Sequence, residues 1–244
     1  MSEVDPQRRA ELAGRLRAVH DRIERACAVA DRDPGEITLV VVTKTFPAAD
    51  VVRLVELGVA DVGENRDQDA AAKAIEAAAA LGAGQRPPRW HFVGQLQRNK
   101  AASVARYADV VHSVDRLPLA TALGKGAQLA GRQLDVLLQV SLHDPAGGAG
   151  RGGVLPFDLA ELAAAVARTE GLRLRGVMAV APLDAPAGPA FARLAELAAT
   201  LRAEHPQATW MSAGMSGDLE DAVAHGATHL RVGSAVLGSR PSLR

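Results

Sequence analysis

Eight short apolar runs punctuate this sequence, and segments of helical period lie between most of them. The runs are ITLVVVT (37–43), VADVG (59–63), WHFVG (90–94), DVVHSV (109–114), LDVLLQVSL (134–142), LRLRGVMAV (172–180), ATWMSAG (208–214) and THLRVG (228–233). In the sixth run the strand is expected in the second half, after the two arginines of LRLR. Continuous apolar runs of this length read as strands covered on both faces. Segments such as AADVVRLVELG, DLAELAAAVARTEG and FARLAELAATLRAEH repeat apolar residues at helical spacing, and several end in Gly or His. Strands alternating with helices predict an α/β protein built on a parallel sheet. A closed (β/α)8 TIM barrel and an open doubly wound sheet both satisfy the pattern. The barrel is the expected fold. The chain has 244 residues, such a barrel takes about 250, and eight parallel strands in that length close more readily than they stay open. Leu12, Leu16, Val19, Ile23 and Cys27 recur at helical spacing, so an extra N-terminal helix is expected over 6–30. No composition break divides the chain, and residues 1–244 are read as one domain.

The charge balance narrows the partners. Twenty-eight basic residues match 28 acidic ones, so no broad field attracts nucleic acid or an anionic membrane. One cysteine, Cys27, rules out an intrachain disulfide and a cysteine zinc cluster, and its place on a helical face reads as structural. No window reaches the roughly 18 apolar residues of a membrane span. The first residues, MSEVDPQRRAELAGRL, are charged throughout and lack the apolar core of a signal peptide. A cytoplasmic location is expected. The outer helices, rich in Ala with interspersed Arg and Glu, suit a solvated surface and a monomer.

One motif misleads. Gly148, Gly150 and Gly153 match G-x-G-x-x-G within the loop HDPAGGAGRGGVLP (143–156). A dinucleotide site places its first glycine at the turn that closes the strand, whereas here HDPAG intervenes. The tract reads instead as a surface loop, with a lid as its functional version.

In a barrel of this kind the site lies at the C-terminal strand ends. Those ends deliver Lys44 from the first strand, Glu64 and Asn65 from the second, and His91 from the third, followed by GQLQRNK. The sixth carries Met178, the seventh leads into SAGMSGD, and the eighth carries Arg231, Gly233 and Ser234. MSAGMSGD and RVGSAVLG each set small residues and hydroxyls before a helical stretch. Glycine admits close backbone approach, and free N–H groups at a helix start favour phosphate. Ordinary helix caps explain either stretch alone; the pair on neighbouring strands points to phosphate. A lysine facing such a site across the barrel mouth suits a Schiff base with a phosphorylated aldehyde. Its amine must be neutral, and partial burial or a cation such as Arg231 lowers its pKa. The competing reading leaves Lys44 solvated just past its strand. His91 is read equally as a hydrogen-bonded structural histidine or a functional one. No Ser-His-Asp constellation and no metal spacing occur among the seven histidines.

VVVTKTF, GVADVGENRDQ, WHFVGQLQRNK, VHSVDR, LRGVMAV and MSAGMSGDLEDAVAHGATHLRVGSAVLGSR together closely resemble the YggS/PROSC family of pyridoxal phosphate homeostasis proteins. The match runs nearly the length of the chain. The resemblance implies a barrel like that of alanine racemase, standing without the racemase's second domain. It implies pyridoxal 5′-phosphate (PLP) held by Lys44 as an internal aldimine, with Asn65 beside it. Ser212, Gly214, Met215 and Ser216 would line the phosphate end, Gly233 and Ser234 would close it, and Arg231 would lie near the pyridine nitrogen. His91 and Met178 would contribute to the ring's surroundings. Two positions depart from the pattern: Arg66 stands where many members carry an aromatic residue, and Arg151 replaces a lysine common in the loop after strand 5.

An arginine at the ring nitrogen disfavours pyridinium, the electron sink that makes PLP a good catalyst of deprotonation. The family's racemase relatives use a tyrosine from their extra domain as the second proton donor. This chain has one tyrosine, Tyr107, in an expected helix away from the strand ends. The resemblance therefore implies a carrier and regulator of intracellular PLP with little catalysis, delivering the cofactor to apo-enzymes. The alternatives are a PLP-dependent amino-acid racemase or aldolase of the same fold, and a lysine-dependent aldolase without cofactor.

Overall fold

A computed structural model describes residues 6–82, 84–142, 152–182 and 184–239. Eight parallel strands close into a barrel in chain order. They are β1 (Thr38–Val42), β2 (Asp61–Glu64), β3 (Arg89–Phe92), β4 (Val110–Val114), β5 (Leu134–Gln139), β6 (Leu172–Met178), β7 (Trp210–Ser212) and β8 (His229–Val232). The helices are α1 (Pro6–Val29), α2 (Ala48–Glu56), α3 (Asp67–Ala80), α4 (Ala101–Tyr107), α5 (Leu117–Leu129), α6 (Leu159–Ala167), α7 (Ala187–Glu204), α8 (Leu219–Ala224) and α9 (Ser234–Leu237). Closure is made by β8 pairing with β1, with Val40 opposite Arg231. The expected fold and the extra N-terminal helix are both present.

Strand alternation splits the core into two layers. Val41, Val62, Val111, Leu138, Val177 and Leu230 face outward into the helix layer. Val110, Leu137 and Met178 form a separate buried cluster. α1 contributes Leu12, Leu16, Val19, Ile23 and Cys27 to the outer layer, all buried, and packs on α8 and α9. Arg8 ties that helix to the barrel mouth. Its Nη2 donates to Asp50 Oδ2 at 2.9 Å and to the Leu237 carbonyl at 3.0 Å, and its guanidinium lies 5.6 Å from the Phe46 ring.

The sixth strand departs from expectation. It begins at Leu172, so Arg173 and Arg175 lie inside it. The two charges are accommodated because they stopper the barrel's N-terminal end. Arg173 Nε donates to Asp135 Oδ1 at 2.8 Å, and the Arg175 guanidinium sits 4.4 Å from the Trp210 ring centroid. A register shift lies between Val136 and Leu137, where β5 meets β6. Gly176 has φ 151°, and a Cβ there would fall 1.8 Å from the Trp210 carbonyl oxygen, so only glycine fits.

Gly148, Gly150 and Arg151 lie outside the described residues, as does most of the loop 143–156. Gly153 is described and explains its own presence: a Cβ would meet Ser141 N at 2.5 Å. The bare backbone lets Val154 bridge Val140 beyond the end of β5. No helix of the described residues is long and apolar enough to cross a membrane.

Candidate functional site

The site begins with the way β1 ends. Val40 and Val42 point into the barrel, since a Cβ on inward Gly63 would touch both. Period-2 alternation then turns Thr43 outward and Lys44 inward. Thr43 is held from behind: its Oγ1 donates to Glu64 Oε1 at 2.7 Å, and its carbonyl accepts from Lys73 Nζ at 2.9 Å. Lys73 also pairs with the Glu64 carboxylate, and both are buried. Glu64 therefore faces the helix layer and not the mouth where the sequence suggests it. Thr45 follows with φ 70°, a left-handed turn rare for a β-branched residue. The strand end carrying Lys44 is clamped on one side and sharply turned on the other.

Lys44 lines a hollow of about 490 Å³ at the C-terminal mouth of the barrel. Asn65, Met215, Ser216, Arg231, Gly233 and Ser234 line it too. The two loops expected to take phosphate meet there. Ser234 Oγ bonds Ser216 Oγ at 3.3 Å, and the Met215 N–H is taken by Asp218 Oδ1 at 2.6 Å. These loops do not face Lys44 across the mouth. Because β8 closes against β1, they lie alongside it. Arg231 is buried. Its Nη1 donates to Ser212 Oγ at 2.6 Å and its Nη2 to the Ala179 carbonyl at 2.8 Å. Burial lowers its pKa to about 10, with Asp218 acting the other way, so it stays a cation at neutral pH.

Four residues named from sequence do not line the hollow. Ser212 is fully buried beneath it, between Arg231 and His112. Gly214 faces α8: it has φ 88°, and a Cβ would sit 2.6 Å from Ala222 Cβ. Met178 is buried with Val110 and Leu137. His91 lies in the barrel interior, its Nε2 2.8 Å from Asp61 Oδ1. Sequence reasoning in turn missed the apolar walls Val42, Phe46, Val93 and Val180. Val93 and Val180 follow inward His91 and Met178 by two residues, a signal that strand alternation carries. Thr45 had no signal, because nothing local marks a threonine for the left-handed region. Tyr107 ends α4 with its hydroxyl buried; burial and the nearby carboxylates Asp67 and Glu64 push its pKa up.

Below the hollow the barrel holds three buried histidines, His91, His112 and His229. Burial depresses all three pKa values, that of His229 to about 3. The folded state therefore prefers them neutral, while the unfolded chain protonates them near the ordinary value of about 6.5. Stability is complete above about pH 6.5 and declines as pH falls from there towards about 3, at up to about 1.4 kcal/mol per pH unit per histidine. Urea unfolding at pH 7.5 and pH 5 measures this; equal midpoints at both would contradict it.

Comparison with known proteins follows the same lines. A family model described as the N-terminal domain of alanine racemase matches residues 15–241. A pyridoxal phosphate homeostasis protein from Mycobacterium bovis is 45% identical, covering 96% of this chain and 95% of that one. Its namesake from Escherichia coli is 36% identical over 94% of this chain and 97% of its own. Among solved structures, PipY of Synechococcus elongatus with PLP bound aligns with TM-score 0.74 at 32% identity, covering 88% of this chain and 99% of that one.

Proposed function

The chain belongs to the alanine racemase N-terminal domain family, among its pyridoxal phosphate homeostasis proteins, and from that membership we propose that it binds PLP reversibly and serves its homeostasis as a carrier. The residues fit the cofactor. An amine, a cationic guanidinium and the hydroxyl residues Thr45, Ser216, Ser234 and Ser239 line one hollow whose described lining contains no carboxylate. Lys44 is the amine that would hold the aldehyde. Ser216, Ser234 and the bare backbone at Gly233 take the phosphate; a Cβ on Gly233 would come within 3.3 Å of the Val42 carbonyl oxygen. Arg231 would lie near the ring nitrogen, and Asn65 beside the ring.

The observation that carries the carrier reading is the poverty of titratable groups. Among the described residues that line the hollow, only Lys44 and Arg231 titrate. Bound PLP supplies an electron sink when its ring nitrogen is protonated, and a neighbouring cation opposes that protonation. Lys44 could move a proton of a bound amino acid, and the described residues that line the hollow offer no second acid. His91 is too deeply engaged to serve.

The purified protein is expected to be yellow, to pass PLP to an apo-enzyme, and to turn over no common amino acid at a rate above free PLP. Robust racemisation, or cleavage of a β-hydroxy amino acid, would overturn the carrier reading in favour of a racemase or aldolase.

A further inference from the structure

A continuous line of hydrogen bonds runs through the barrel interior from its N-terminal end to the hollow. Asp61 Oδ1 lies 2.8 Å from His91 Nε2. His91 Nδ1 lies 2.8 Å from His112 Nε2, and His112 Nδ1 lies 2.9 Å from Ser212 Oγ. Ser212 Oγ accepts from Arg231 Nη1 at 2.6 Å. The members come from β2, β3, β4, β7 and β8. His91, His112 and Ser212 are essentially inaccessible to solvent, so the line cannot trade partners with bulk water.

Its chemistry leaves one arrangement of protons. Burial raises the Asp61 pKa, but the hydrogen bond from His91 and the charge of Arg89, 3.8 Å away, outweigh this and keep the group ionised. A carboxylate only accepts, so His91 carries its proton on Nε2. Burial keeps His91 neutral, which makes its Nδ1 an acceptor. His112 must then donate from Nε2. Burial keeps His112 neutral too, so its Nδ1 is an acceptor and takes the hydroxyl proton of Ser212. Ser212 is left with lone pairs alone on its upper side. Those lone pairs meet Arg231, which can only donate.

We propose that Asp61, His91, His112 and Ser212 form a positioning relay for Arg231, in which a carboxylate at the far end of the barrel points every proton downward and makes Ser212 a dedicated acceptor for the guanidinium. This rests on the reading of the hollow as a PLP site with Arg231 at the ring nitrogen. The four residues touch no cofactor; they act through Arg231. Two of them, Asp61 and His112, have no role in the sequence-based reading of the site. Reversing the line would turn the Ser212 hydroxyl upward, a donor facing a donor, so its polarity is what holds the Arg231 guanidinium in place.

The first test needs no cofactor. Ring-nitrogen NMR of histidine-labelled, PLP-free wild-type protein should show His91 and His112 both protonated on Nε2. A proton on Nδ1 of either overturns the relay. The second test is Asp61→Asn, whose amide imposes no direction. PLP binding should weaken on the order of tenfold, the scale seen when outer positioning partners of a bound group are lost. The pH profile of the yellow absorbance should shift, while the PLP fixed by borohydride at saturation stays that of wild type. A variant that melts at lower temperature but keeps the wild-type affinity and pH profile shows a merely structural role and overturns the relay. Should Asp61→Asn not fold, the wild-type tautomers alone decide the matter. A wild-type protein that binds no PLP would sink the functional reading instead, and the tautomers would still report the polarity of the line.

Discussion

Lys44→Ala is expected to abolish covalent capture of PLP completely. The yellow colour of the purified protein should vanish, and borohydride should fix no cofactor to any peptide. Only an uncharged amine can condense with the aldehyde, and Lys44 is the one lysine among the described residues lining the hollow. The chain has four lysines. Lys73 is committed to Glu64 and the Thr43 carbonyl, Lys100 lines a different cavity, and Lys125 lies in α5. Arg231 cannot substitute, because its guanidinium stays protonated. The variant should keep weak, non-covalent affinity for PLP through Arg231, Ser216 and Ser234. Mass spectrometry of borohydride-treated digests, wild type against variant, makes the measurement. A fixed adduct on another lysine of the variant would refute the assignment.

Lys73→Ala should cost the fold about 3–5 kcal/mol, the scale for stranding one member of a buried ion pair. Against the roughly 5–15 kcal/mol that holds a typical domain together, this approaches unfolding. Glu64 is only 1% exposed, so its carboxylate would keep one neutral donor, the Thr43 hydroxyl. The Thr43 carbonyl would also lose its donor, immediately before Lys44. PLP binding should therefore fall along with stability, although Lys73 is not among the residues that line the hollow. Replacing both partners, Lys73→Met with Glu64→Gln, should recover much of the stability, because no charge is then stranded. Urea unfolding of the single and double variants checks this. A loss below about 1 kcal/mol for Lys73→Ala would show that the clamp behind Lys44 does not exist as described.

The two variants separate what the local sequence announces from what it hides. Lys44 is legible because a lysine closing a buried run is costly unless the fold wants it there. Lys73 is not legible. In DQDAAAKAIEAAAA it looks like any solvated helix lysine, and its partner Glu64 looks like a mouth residue beside Asn65. Only packing of α3 behind β1 and β2 buries both, in the layer between strands and helix. Ser212 and Gly214 show the opposite error. Their neighbours Met215 and Ser216 do line the hollow, yet β7 ends at Ser212 with that side chain buried, and Gly214 serves the turn over α8. A motif marks where a loop goes, not which of its members face inward.

The alternation of eight apolar runs with helical segments, the inward lysine at the end of the first run and the small-residue loops after the last two were all written in local order. Periodicity and strand-end position are properties of neighbouring residues. Barrel closure was not local: pairing β8 with β1 sets Arg231 and the small-residue loops after β7 and β8 beside Lys44. Nor was the histidine line, where His112 and Ser212 stand 100 residues apart in the chain. Hydrogen-bond partners that far apart leave no periodic trace, and burial gives their protons a single direction only once five strands have come together.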